Sequence, residues 1–163
     1  MNDTGKLLAQ LLYRDLGKLV QQMEGFPPAL LWTVAPGVAN SAGNLALHLE
    51  GNLREYIGRQ MGKLDYQRDR AREFSAKDVP REELVTCLRD LRIKIPTVVE
   101  GMDVARLSET FPDQPLGVPM TNLQFLVHLH GHLNYHLGQI DYLRRILVGA
   151  GGGAIDYVRL REE

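Results

Sequence analysis

Cysteine is nearly absent: among 163 residues there is one, Cys87, so an intramolecular disulfide is excluded and nothing points to an oxidising compartment. The cytoplasm is the expected location. An excess of charge of one sign is also missing. The 19 Lys and Arg against 20 Asp and Glu leave a formal charge of −1, too little positive charge to neutralise a row of nucleic-acid phosphates. No nucleic-acid partner is expected. The first 25 residues carry Lys6, Arg14, Asp15, Lys18 and Glu24 at helix-like intervals, without the apolar block and cleavage site of a signal peptide. Residues 25–49 are free of Asp, Glu, Lys and Arg, but Pro27, Pro28 and Pro36 interrupt any continuous apolar helix, so no membrane span is expected. Alternating strand patterns and a fixed internal repeat are lacking as well.

What remains is the composition of one globular domain over residues 1–163, with 44% hydrophobic and 24% charged residues. Leu8, Leu12, Leu16, Leu19 and Met23 recur in steps of three and four and predict a first helix over 4–23. A Pro- and Gly-containing loop follows, whose Trp32 is expected to pack across the end of the domain. Asn40 or Ser41 can cap a second helix, with Leu45, Leu49, Leu53, Tyr56 and Ile57 on its apolar stripe, reaching residue 61. Residues 65–77 are charged and aperiodic, the pattern of a solvated connection with no chemistry assigned.

Pro80 suits the start of a third helix, where Glu82 and Glu83 complement the dipole. Its seam runs Leu84, Leu88, Leu91, Ile95, Val98, Met102, and Pro96 is expected to kink or split it. Cys87, beside this seam, is expected to be a buried packing residue. Residues 111–119 form a turn, Thr121 can cap a fourth helix over 121–148, and the glycines at 149–153 end it. Four amphipathic helices imply an all-α four-helix bundle.

Four of the five histidines, His128, His130, His132 and His136, crowd into nine residues of the last helix. Steps of four place His128, His132 and His136 on one stripe, with His130 about 200° from His128 and so outside a shared site. Imidazoles four residues apart can converge on one ion, whereas residues eight apart lie about 12 Å apart along the axis. Either His128 with His132 or His132 with His136 is therefore the pair, and spacing does not choose. His48 lies on a second polar stripe with Asn44, Asn52, Glu55 and Arg59. Two such stripes meeting inside a small bundle would supply three neutral ligands to a divalent ion and leave positions open to water or substrate.

Some familiar chemistries are excluded. No E-x-x-H motif of a di-iron bundle and no H-E-x-x-H motif of a zinc protease occurs. The glycine run at 149–153 lacks the Lys and Ser or Thr of a phosphate loop.

The segments His48-Leu-Glu-Gly-Asn52-Leu and His132-Leu-Asn-Tyr-His136-Leu-Gly138-Gln139 resemble the DinB-like superfamily of metal-binding four-helix bundles. Members commonly read H-x-x-H-H-x-G-Q on the last helix, with Tyr135 here in place of the extra His. The resemblance implies His48, His132 and His136 as metal ligands, one divalent transition metal (Zn or Ni, with Fe or Mn as alternatives), a homodimer, and thiol transfer or isomerisation with a low-molecular-weight thiol such as mycothiol, bacillithiol or glutathione. Asn52 and Gln139 are candidates to orient a ligand or water from behind the metal, and Arg59 a candidate to attract an anionic substrate. Two further possibilities stand beside a small-molecule enzyme: a non-catalytic metal-binding or interaction protein of the same fold, and a scaffold without an ion.

Overall fold

The computed structural model describes residues 3–149. The glycines beyond Gly149 and the tail after them lie outside the described residues. Four long helices carry the architecture. Helix α1 spans Asp3–Gly25, and its expected stripe of Leu8, Leu12, Leu16, Leu19 and Met23 is buried. Helix α2 spans Ala42–Leu53, started by the Ser41 hydroxyl accepting from the Asn44 N–H at 3.1 Å. It continues without a break as a π-helical segment, Arg54–Met61, at whose end the Gly62 N–H reaches back five residues to the Ile57 carbonyl at 2.8 Å.

Two short helices interrupt the connections, α3 at Arg70–Ser75 and α5 at Val104–Ser108, capped by Asp69 and Asp103. Helix α4 spans Arg81–Glu100. Helix α6 spans Asn122–Val148 and begins with a reciprocal capping box between Thr121 and Gln124. Helix α1 packs against α4 and α6, and α2 packs against the same two, so the four long helices enclose one core. Among the described residues there is no strand, only an isolated bridge between Thr110 and Thr121. No helix among them is long and apolar enough to cross a membrane. Trp32 is half-buried; its indole N–H donates to the Val79 carbonyl at 3.2 Å and its ring lies on Gly43, where a Cβ would come within 2.7 Å of it.

Of the two outcomes expected at Pro96, the split is excluded: α4 runs through it, the proline being buried in the last turns. Two expectations need correction. Cys87 is half-buried rather than buried. The charged stretch 65–77 is more than a solvated connection. It contains α3, fastened to α2 by the buried Asn44 amide, which donates to the carbonyls of Glu73 at 3.0 Å and Ala76 at 2.8 Å. That docking carries the Glu73 side chain into the interior at 4% exposure.

Candidate metal centre

Helix α2 delivers His48, and one face of α6 delivers His132 and His136. The Nε2 of His132 lies 3.3 Å from Nε2 of His48 and 3.1 Å from Nε2 of His136. Nitrogen ligands at about 2.0–2.1 Å from a tetrahedral ion stand about 3.3 Å from one another, so the cluster has the spacing of three corners around one small cation. One ligand atom from each of the three residues lies within 4.8 Å of the other two.

Proton bookkeeping agrees with the spacing. His48 Nδ1 donates to Glu73 Oε2 at 2.9 Å, and His136 Nδ1 donates to Gln139 Oε1 at 2.7 Å. In each neutral imidazole the remaining Nε2 is then a lone pair. Both lone pairs aim at Nε2 of His132, which has at most one proton to offer, and His132 Nδ1 is buried without a partner. Two or three lone pairs meeting in a partly buried space repel unless a cation joins them. Two of the rings also resist protonation: burial, then the neighbouring His136 and His48, push His132 down to about 4. His136 is lowered by burial against the opposing bond from Gln139. The donor set therefore fits a borderline divalent ion, and imidazole suits Zn, Ni and Fe alike.

The other sequence candidates separate cleanly. His130 sits on the far side of α6, where Nε2 bonds Asp15 at 2.8 Å together with the Asn134 amide at 2.9 Å. His128 is exposed, stacked between Phe125 at 5.9 Å and His132 at 6.3 Å, and stands outside the triad. Gln139 touches His136 directly. Asn52 is buried near His48 with its Oδ1 unpartnered, and no bond joins it to an imidazole. Arg59 does not present a free charge, because its guanidinium is taken by Glu55.

Sequence reasoning missed Glu73 and Arg68. Arg68 donates to both Glu73 oxygens, Nε to Oε1 at 2.6 Å and Nη2 to Oε2 at 2.9 Å. Burial pushes the Glu73 carboxyl up, but the bonds from His48 and Arg68 outweigh it and hold the group below its ordinary value. The only local signal was Asp69, a good helix cap inside an otherwise aperiodic charged run. Around the mouth, Phe74 lies 5.1 Å from the His48 ring and Tyr135 5.2 Å from the His136 ring, both exposed. A cleft of about 520 Å³ is lined by Tyr56, Arg59, Gln60, Tyr66 and Arg68 among others; none of the three histidines lines it, and Arg68, which bonds Glu73, is its link to the Glu73–His48 chain.

The profile of a family described as mycothiol-S-transferase matches residues 7–149. No curated protein matches the sequence. Among solved structures, a conserved protein from Enterococcus faecalis superposes with a TM-score of 0.72 at 17% identity, covering 91% of this chain and 99% of that one. At that identity the likeness establishes a shared fold.

Proposed function

The chain belongs to the mycothiol-S-transferase family, within the DinB-like superfamily, and on that premise we propose that it is a divalent-metal-dependent S-transferase for a low-molecular-weight thiol. One observation carries the proposal: three imidazoles from two helices bring their Nε2 atoms to a common point. His48, His132 and His136 would hold the ion, and with three protein ligands a coordination position remains for a small molecule. A divalent ion held there would favour the thiolate form of a bound thiol at neutral pH.

The chain's own groups do the rest. Gln139 fixes the His136 ring through Nδ1, leaving Nε2 to the centre. Phe74 stands beside the His48 ring and Tyr135 beside the His136 ring, two exposed aromatic faces against which the apolar part of a substrate could lie. The polar cleft lined by Arg68 would offer phenol, amide and guanidinium groups to the hydroxyl and amide groups of a thiol that reached it. In the transfer, the thiol sulfur supplies the electron pair of the new S–C bond. The leaving group departs from the electrophilic carbon with its own bonding pair, and the thiol proton passes to solvent. A homodimer belongs to the same proposal, with the exposed α6 residues Val127, Tyr135, Tyr142 and Ile146 as its apolar surface.

The test is metal analysis of untagged protein purified without chelator, followed by assay of thiols and electrophiles with Zn, Ni, Mn and Fe. About one ion per chain is expected, lost in His132→Ala, with conjugation that disappears in His136→Ala. Stoichiometric metal without thiol affinity would support a non-catalytic metal protein instead. Turnover indifferent to His136→Ala would refute the mechanism.

A further inference from the structure

Glu73 is the one carboxylate among the described residues bonded to an imidazole of the cluster, and several separate features of the chain put it there. Its helix, α3, has only six residues and owes its position to docking. The Asn44 amide holds two carbonyls of this segment, and Arg68 grips both carboxylate oxygens. Gly51, in the interior of α2, leaves the space the carboxylate fills. A Cβ at Gly51 would press into Glu73 Oε1 and come within 2.9 Å of Cδ. Glycine there costs helix propensity, and a buried ion pair is seldom a net source of stability. All these features converge on one outcome, an oxygen 2.9 Å from His48 Nδ1.

We propose that Glu73 is a positioning residue for the metal centre: it holds His48 as the Nδ1–H tautomer, with the Nε2 lone pair turned toward His132 and His136. This rests on the three histidines binding an ion. On this basis α3 and the Arg68 loop are part of the centre, although they contribute no ligand. A carboxylate behind a ligating imidazole fixes its rotation and makes the coordinating nitrogen a stronger donor, and losing such a partner typically costs about 10–100-fold in metal affinity.

The experiment uses the full chain, stripped of metal, in two measurements. The first is Zn affinity by competition with a chromophoric chelator, for wild type, Glu73→Ala, Glu73→Gln and Gly51→Ala. The second is the tautomer of His48 in the metal-free protein, from long-range nitrogen–proton NMR correlations. Glu73→Ala is expected to weaken Zn binding about 10–100-fold, Glu73→Gln to restore part of the loss, and His48 to change from a single Nδ1–H form to a mixture. Gly51→Ala keeps the carboxylate but displaces it, and because alanine favours the helix this variant still decides the matter if Glu73→Ala fails to fold. Affinities within twofold of wild type in Glu73→Ala and Gly51→Ala, with the His48 tautomer unchanged, would overturn the inference. If wild type itself binds no Zn that His132→Ala abolishes, the metal proposal is what fails. The tautomer comparison in metal-free protein then still decides whether Glu73 sets the tautomer of His48.

Discussion

Acidifying the metal-free protein should reveal the cost of packing three imidazoles together. His132 is the most perturbed of them: burial and the adjacent His136 and His48 bring it from 6.5 to about 4. Its folded-state pKa lies below its unfolded value, so the stability it contributes is complete above pH 6.5. In the window from 6.5 to about 4 the unfolded chain takes up the proton first, and stability falls with the pH. At about 1.4 kcal/mol per pH unit the full window is worth about 3 kcal/mol, and the ring's partial access to solvent reduces this to about 2 kcal/mol. The measurement is urea unfolding of chelator-treated wild type and His132→Gln between pH 7.5 and 4.5. The variant lacks the titrating group, so wild type should lose about 2 kcal/mol more than the variant across that range, a relative midpoint shift of about 1 M urea for a chain with a slope near 2 kcal/mol per M. Asp15, Glu73 and Asp141, all held below the ordinary carboxylate value, are common to both proteins and leave the difference untouched in this range. A gap between the two proteins that stays constant from pH 7.5 to 4.5 would show that His132 is no harder to protonate in the fold than in solution, and the crowding of the imidazoles would then carry no energetic cost.

Adding Zn to the stripped protein at about 100 times Kd should stabilise it by about 2.7 kcal/mol, which for a chain of this size raises Tm by about 5–11 °C in calorimetry, and His136→Ala should lose the rise. Thr121→Ala removes the hydroxyl half of the capping box on α6 and should cost about 1 kcal/mol in urea unfolding without changing metal stoichiometry. Burial raises the Cys87 thiol above its usual value, so alkylation of the folded protein at pH 7.5 should run several-fold slower than that of free glutathione; labelling as fast as the free thiol would contradict its half-buried placement.

The helices were legible because each long one repeats leucines at helical spacing, a pattern that requires no partner to be recognised. A histidine pair on the last helix was legible for the same reason, since like side chains four apart share a face wherever the helix lies, but His128 and His136 met that condition equally and the resemblance of the His132–Gln139 segment to the DinB-like pattern selected His136. From the residues alone His48 could be nominated only through a polar stripe beside a leucine stripe, since whether that stripe meets water or α6 depends on packing. Glu73 was invisible. In sequence it is one acid in a run of charges, and only the docking of α3 on Asn44, with Gly51 giving way, takes it out of solvent. Arg59 erred the other way: a free cation by position, it is neutralised by Glu55 one turn earlier on the π-helical segment.

The placement of α6 explains how the imidazoles converge. At about 100° per residue, His130, Asn134 and Asp141 fall on one side of the helix, while His132, His136 and Gln139 fall on the opposite one. The first set is tied to α1: His130 and Asn134 bond the buried Asp15, and Asp141 accepts from the Gln22 amide at 3.0 Å. Arg144, fully buried one turn on, donates to both Gln22 at 2.7 Å and Asp141 at 3.0 Å. These bonds are directional where leucine packing is not, so they fix the rotation of α6 about its axis as well as its distance from α1. Turning α6 by half of one residue step, about 50°, would break the Asp15 and Gln22 ties and at the same time swing His132 and His136 away from His48. The polar ties on the α1 side and the imidazoles on the α2 side are thus one constraint on the same rigid element, which lets two helices bring three imidazoles to a common point.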